Sequence, residues 1–219
     1  MKISEIIRVG STEYLSEAPM IVGDEDWDLN SVSGNQTMVG KLMKGSNVHL
    51  DYITEYNGLD VWRYRKQIFA ISPQRKSKKL VYWIKFETPF ISAINTQVVT
   101  QRALWRDSTS QTNAQIAKYV FFNVLLDEYK VIATDSLQTH AGMRFWTLRV
   151  DEALSKNLNV YVLDMRGTPT TLTKVLDIQD FENMNDHGLI WGTIPAYKKN
   201  LVIISSTNLT PTDDVEFNY

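Results

Sequence analysis

The chain has no cysteine among its 219 residues. That excludes a thiol nucleophile, a disulfide framework and every thiolate metal site. Histidine is nearly as scarce: His49, His140 and His187 are the only three, and no two share a helix-length window. A zinc centre or a Ser-His-Asp triad is therefore poorly supplied. No stretch of about 18 consecutive apolar residues occurs, so the sequence predicts no transmembrane helix. Glycine is missing selectively. Six of the ten glycines precede residue 59 and four follow residue 141, with none in the 83 residues between. A glycine-rich phosphate loop of either common type cannot lie in that gap.

What is present is ordinary in bulk and uneven in detail. Apolar residues make up 43% and charged residues 22%, which suits a globular protein rather than a disordered, coiled-coil or collagen-like chain. Six Trp, ten Tyr and eight Phe supply ample core or stacking surface. The net charge of −2 hides a split: residues 1–30 carry −5, residues 60–79 carry +6, and residues 206–219 carry −3. A basic block of that size attracts phosphates, in nucleic acid or in a nucleotide. The competing reading is a solvated hairpin tip. Glu5, Glu13 and Glu17 interrupt the apolar residues of the N-terminus, which does not suit a secretory signal, and a cytoplasmic setting is expected.

The hydrophobic period divides the chain into strands and then alternating strands and helices. Residues 3–9 predict a short helix, and residues 20–47, rich in Gly, Asn, Ser and Asp, predict loop with short strands. A strand over 48–56 leads to the turn Asn57-Gly58, a hairpin signal. Long strands follow over 60–72 and 80–88, joined by the basic turn Pro73–Lys79 and stopped by Pro89. Residues 95–105 alternate as a third strand. The period then changes to 3.6: the cap-rich run Ser108–Asn113 opens a helix over 112–128 with the stripe Ile116, Ala117, Val120, Phe121, Val124, Leu125. A strand over 129–134, a helix over 139–155 and a strand over 158–165 follow at βαβ spacing. Residues 171–181 read as a short strand or helix, 183–188 as loop, 201–205 as a last strand, and 206–219 as a flexible tail. A single domain over 1–205 is expected, with 1–57 its least defined part.

Hairpin, third strand, helix, strand, helix, strand is an order that resembles the GNAT-superfamily acyltransferases over residues 60–170. The stretch 130–165 resembles bacteriophage proteins with acyltransferase-like folds, through Thr134-Asp135, Gln138-Thr139, Gly142 and Phe145-Trp146. The resemblance implies an α/β fold, with a mixed, mostly antiparallel sheet and helices on both faces. It implies an acyl-CoA or acetyl-CoA donor and no metal. The acceptor is an amine on a small molecule or a nucleobase, in DNA modification or on a host target, in the host cytoplasm if the protein is phage-encoded. Donor-binding positions would be Ala103, Leu104, Trp105 and Arg106 on the third strand, and Ser110, Gln111, Thr112 and Asn113 at the turn into the helix. In the family that turn carries glycine and the last helix carries a Tyr acid. Here the turn from Arg106 to Ala114 has no glycine and includes Asp107, and the helix has Phe145 and Trp146 instead. The alternative is an acyltransferase fold without catalysis, serving as a phage binding or inhibitor module for a host protein or nucleic acid.

Three residues are candidates for chemistry. Asp135 follows a strand's carboxyl end, where open α/β sheets bind ligands, and can orient or deprotonate an amine. It reads equally as a turn residue. His140 opens a helix and can act as a base near pH 7, or be a surface residue of the first turn. Arg102, with Arg106, can meet phosphate bidentately or pair with surface acids. Trp62, Tyr64, Tyr82 and Trp83 interleave with Arg63, Arg65 and Lys66. That pattern within the basic segment 63–79 suits single-stranded nucleic acid, or simple alternation between core and solvent.

Overall fold

A computed structural model of the protein describes residues 32–44, 49–73, 78–107, 112–134, 140–191 and 200–218. The chain folds into two compact units. Among the described residues, the first holds those up to Glu87 together with Gln101–Val120, and the second holds Thr88–Thr100 together with those from Phe121 on. The expected helix over 3–9 lies outside the described residues.

The first unit begins with helix α1 (Val32–Lys44), where the sequence predicts loop. Gly34, Asn35 and Gly40 are poor helix formers, but tertiary packing overrides them. Asn35, Met38, Val39 and Leu42 fall at i, i+3, i+4 and i+7, and all four are buried. The Asn35 amide donates to the Leu80 carbonyl at 3.0 Å and accepts from the Leu80 N–H at 2.7 Å. A residue that favours turns is thus held inside a helix by a buried backbone partner.

Strands β1 (Asp51–Tyr56), β2 (Leu59–Tyr64), β3 (Gln67–Ser72) and β4 (Lys79–Glu87) pair antiparallel in sequence order. Asn57 and Gly58 both have positive φ, 50° and 76°, which makes the expected primed hairpin turn. The single strand expected over 60–72 is instead two strands. Tyr64 pairs with Gln67 across a two-residue turn in which Arg65 has φ 53°. No glycine or asparagine marks that turn, so the continuous Val, Trp, Tyr, Ile and Phe pattern conceals it. Strand β7 (Val99–Arg106) follows β4 in the sheet order and gives Gln101–Arg106 to this unit.

Helices cover both faces of this sheet. Phe69, Ile71, Leu80, Trp83, Ala103 and Trp105 form one core with Met38, Val39 and Leu42 of α1. On the opposite face Tyr56 stacks on Tyr119 of helix α2 (Thr112–Tyr119), with ring centroids 4.1 Å apart. Beyond α2 the helix continues through a π-helical segment, Val120–Leu125, into a short α3 (Leu126–Tyr129). The wider π turn brings Phe122 inward beside the expected stripe, so Val120, Phe121, Phe122, Val124, Leu125 and Leu126 are all buried.

The second unit contains a small hairpin, β5 (Phe90–Ile91) and β6 (Thr96–Gln97), and then strand β8 (Val131–Ala133) and helix α4 (His140–Ser155). Strand β9 (Asn159–Asp164), strand β10 (Thr170–Val175) and helix α5 (Ile178–Asp186) come next. Strand β11 (Asn200–Ser205) and strand β12 (Val215–Asn218) close the chain. The strand order runs β7-β8-β11-β9-β10-β12, with β11 inserted between β8 and β9. Among the described residues of this unit's sheet, β7–β8 and β10–β12 pair parallel and the other pairings are antiparallel. The fold is therefore mixed α/β with a large, mostly antiparallel sheet.

Two expectations in this unit are corrected. The stretch 183–188 is helical as far as Asp186, because Asp177 caps α5 by accepting from the Asp180 N–H. Residues 206–219 are not a free tail: β12 pairs with Thr170–Thr173, and Leu209 is buried in a core with Tyr161, Leu163, Leu172 and Ile203. Among the described residues no helix is long and apolar enough to cross a membrane.

Candidate functional site

The parallel pair β7 and β8 is joined by the helical run that starts at α2, and its ladder is short. It consists of Val99 opposite Ile132 and Thr100 opposite Ala133. Past Thr100, β7 continues for six residues beside β4 in the first unit. The side chains there are committed. Ala103 and Trp105 face the α1 core, and Leu104 is buried as well. The side chains of Ala103, Leu104 and Trp105 are therefore taken up by the core.

At the carboxyl end of β7, the Asp107 N–H donates to the Val81 carbonyl at 2.9 Å. The Asp107 side chain is 11% exposed and lies 2.5 Å from the Lys79 ammonium. A carboxylate just before a helix opposes a phosphate, but here its charge is already matched by Lys79. The same end of the unit holds the β1–β2 turn, whose Asn57 donates to Gln115 in α2 at 3.1 Å. That bond ties the first half of α2 to the hairpin turn, and the Tyr56–Tyr119 stack ties down its last residue. Thr112 and Asn113 lie in its first turn. Ser110 and Gln111 lie outside the described residues.

Arg102 is half exposed and sits 3.4 Å from Glu87. Arg106 is four residues further along β7, about 13 Å at strand spacing. Asp135 lies outside the described residues, and His140 is the first residue of α4.

The described bases of the segment 63–79 divide between two places. Arg65 and Lys66 lie in the turn after β2, whereas Lys78 and Lys79 lie at the opposite end of β3. Six residues of strand separate them, about 20 Å. The interleaved aromatics also divide. Tyr82 and Trp83 are buried, and the Trp83 indole N–H donates to the Gln67 carbonyl oxygen at 2.8 Å. Trp62 and Tyr64 are half-buried against the α1 core.

A polar group at the ends of β8, β9 and β11 goes beyond the sequence reading. Thr134 is fully buried, and its hydroxyl accepts from the Val202 N–H at 3.0 Å. Asp164 and Asn200 face each other across the β9–β11 ladder. Arg166 holds the Asp164 carboxylate with two bonds, Nε at 2.9 Å and a terminal nitrogen at 2.6 Å, and donates to the Gly188 carbonyl at 3.1 Å. Burial alone would raise the Asp164 pKa. The hydrogen bonds and charge of Arg166 outweigh it and hold the carboxyl below its usual range. Asn200 is 4% exposed and donates to the Leu189 carbonyl at 2.5 Å, while its side-chain oxygen meets no partner among the described residues. Asp164 and Arg166 two apart at a strand end were the readable signal; nothing in the sequence singles out Asn200.

No protein-family model matches the chain, and no curated protein is similar to it.

Proposed function

We propose that the protein has an acyl-CoA N-acyltransferase-like fold and transfers an acyl group from coenzyme A to an amine. The observation that carries this reading is the two-pair ladder between β7 and β8. A parallel strand pair that joins for only two residues among the described ones suits an extended ligand on the strand backbone, and the helix that follows β7 offers its amides to an anion. The Lys79–Asp107 pair supports the fit, because it removes the net negative charge that would repel a pyrophosphate.

Acyl-CoA supplies a thioester carbonyl activated toward amines. In this reading the backbone of Arg102–Trp105 aligns the donor, and the first amides of α2, with Ser110 and Gln111, hold its phosphates. Asp135 orients the amine and accepts its proton, with His140 as a second candidate base. The acceptor is a small molecule or a nucleobase, and the setting is cytoplasmic, in a host cell if the protein is phage-encoded.

The test is thiol release from acetyl-CoA across a panel of amines. Because the chain has no cysteine, every thiol detected with a thiol-reactive dye comes from the donor. Amine-dependent release that falls by about a hundredfold in Asp135→Asn is expected of a general base. Release that never exceeds the protein-free rate would reject the enzymatic reading.

A second reading is a non-enzymatic binding module for a host protein or nucleic acid, and two ion pairs favour its host-protein form. Lys79 and Arg102, bases suited to phosphate, are each held by a carboxylate, Asp107 and Glu87.

A further inference from the structure

The rim of the first unit's sheet carries features that acyl transfer does not use. Strand β1 ends the strand order, so its outer row of backbone N–H and C=O groups faces no strand among the described residues. Across the β1–β2 ladder Tyr52 lies directly opposite Trp62, and Glu55 directly opposite Asp60. Asp60 and Trp62 are two residues apart on one strand, which sets both pairs on one face. The two rings meet edge to face, with centroids 5.1 Å apart, and Tyr52 is 54% exposed.

Like charges directly opposite each other weaken a sheet. Neither Glu55 nor Asp60 has an ion-pair partner among the described residues. A cation from outside relieves that repulsion, and the adjacent indole and phenol faces favour the same cation. A second copy of the chain is a poor occupant. Antiparallel pairing of two β1 edges would bring Asp51 and Glu55 of one copy against those of the other.

We propose that β1 is a docking edge for an extended, lysine- or arginine-rich segment of a partner protein. The segment adds a strand to β1, sets one cationic side chain against Tyr52 and Trp62, and is neutralised by Glu55 and Asp60. The site shares no residue with the proposed donor site, so it stands whether or not the protein transfers acyl groups.

The probe is a short fluorescein-labelled peptide of alternating lysine and valine, titrated onto the full chain. A matched peptide of glutamate and valine serves as control. Saturable binding is expected for the basic peptide alone, weakened about tenfold or more in Glu55→Lys/Asp60→Lys. Glu55→Gln/Asp60→Gln should weaken it less and melt at or slightly above the parent, whereas the lysine pair, which keeps a like-charge repulsion, should melt as the parent does. Backbone amides of Asp51–Tyr56 should gain hydrogen-exchange protection on binding. Failure to bind, or unchanged affinity in both variants, overturns the proposal. So does binding that leaves the β1 amides unprotected and is displaced by spermidine, which would mark a small-polyamine site.

Discussion

Asn35 supplies Leu80 with the two hydrogen bonds that a neighbouring strand would otherwise give. Asn35→Ala leaves a buried N–H and a buried carbonyl unmet, at a cost of about 2–4 kcal/mol. Urea denaturation measures this, and Asn35→Asp should also destabilise, since it keeps the acceptor and loses the donor. Asp164 makes a prediction in pH. Its carboxyl is held below the usual value of 3.8 by Arg166, against the opposing effect of burial. A depressed carboxyl contributes stability that is complete above the unfolded pKa and is lost as pH falls through the folded one. The melting-temperature gap between the parent and Asp164→Asn should therefore be constant near neutrality and shrink as pH drops below about 4. A gap that widens in acid would show that the ion pair is not the cause.

At the level of elements, the hairpin turn at Asn57-Gly58 offers the cleanest test. Gly58 has φ +76°, and a Cβ there would meet nothing within 4 Å. Gly58→Ala is thus a purely conformational change and should cost about 1 kcal/mol. The same logic explains what could be read from the sequence. That turn was legible because its residues are those the conformation demands. The Arg65 turn has the same left-handed backbone without the marker, so β2 and β3 merge into one strand on paper. Period alone found the stripe of α2 and the π segment, because burial there follows spacing. Helix α1 was hidden, since its glycines argue locally for loop and outweigh the short apolar stripe Met38, Val39, Leu42 until packing and the bond to Leu80 are known. Strand β12 was hidden in an acidic, polar segment whose partner lies some 40 residues earlier in β10. Deleting residues from Ser206 onward should cost several kcal/mol, because Leu209, Val215 and Phe217 leave the core around Tyr161 and Leu172. A free tail would give an unchanged urea midpoint.

For the whole molecule, the chain crosses between its two units three times among the described residues, so neither is one continuous segment. That is why composition shows no linker and the sequence suggests a single domain. The glycine gap takes on a specific meaning in this fold. It runs from β2 through the ladder of β7 and β8 into the start of α4, and so covers the turn where a donor phosphate would bind. Of the proposed donor positions, the strand residues are described and offer backbone. Ser110, Gln111 and Asp135 lie outside the described residues, so the chemistry rests on sequence and on the short β7–β8 ladder. Donor binding is therefore the direct test of the acyltransferase account. Thermal melting of the full chain with coenzyme A and with acetyl-CoA should show the midpoint rising with ligand, since a ligand at about a hundredfold over its Kd adds roughly 2.7 kcal/mol to the native state. A midpoint unmoved by either ligand at millimolar concentration would contradict it.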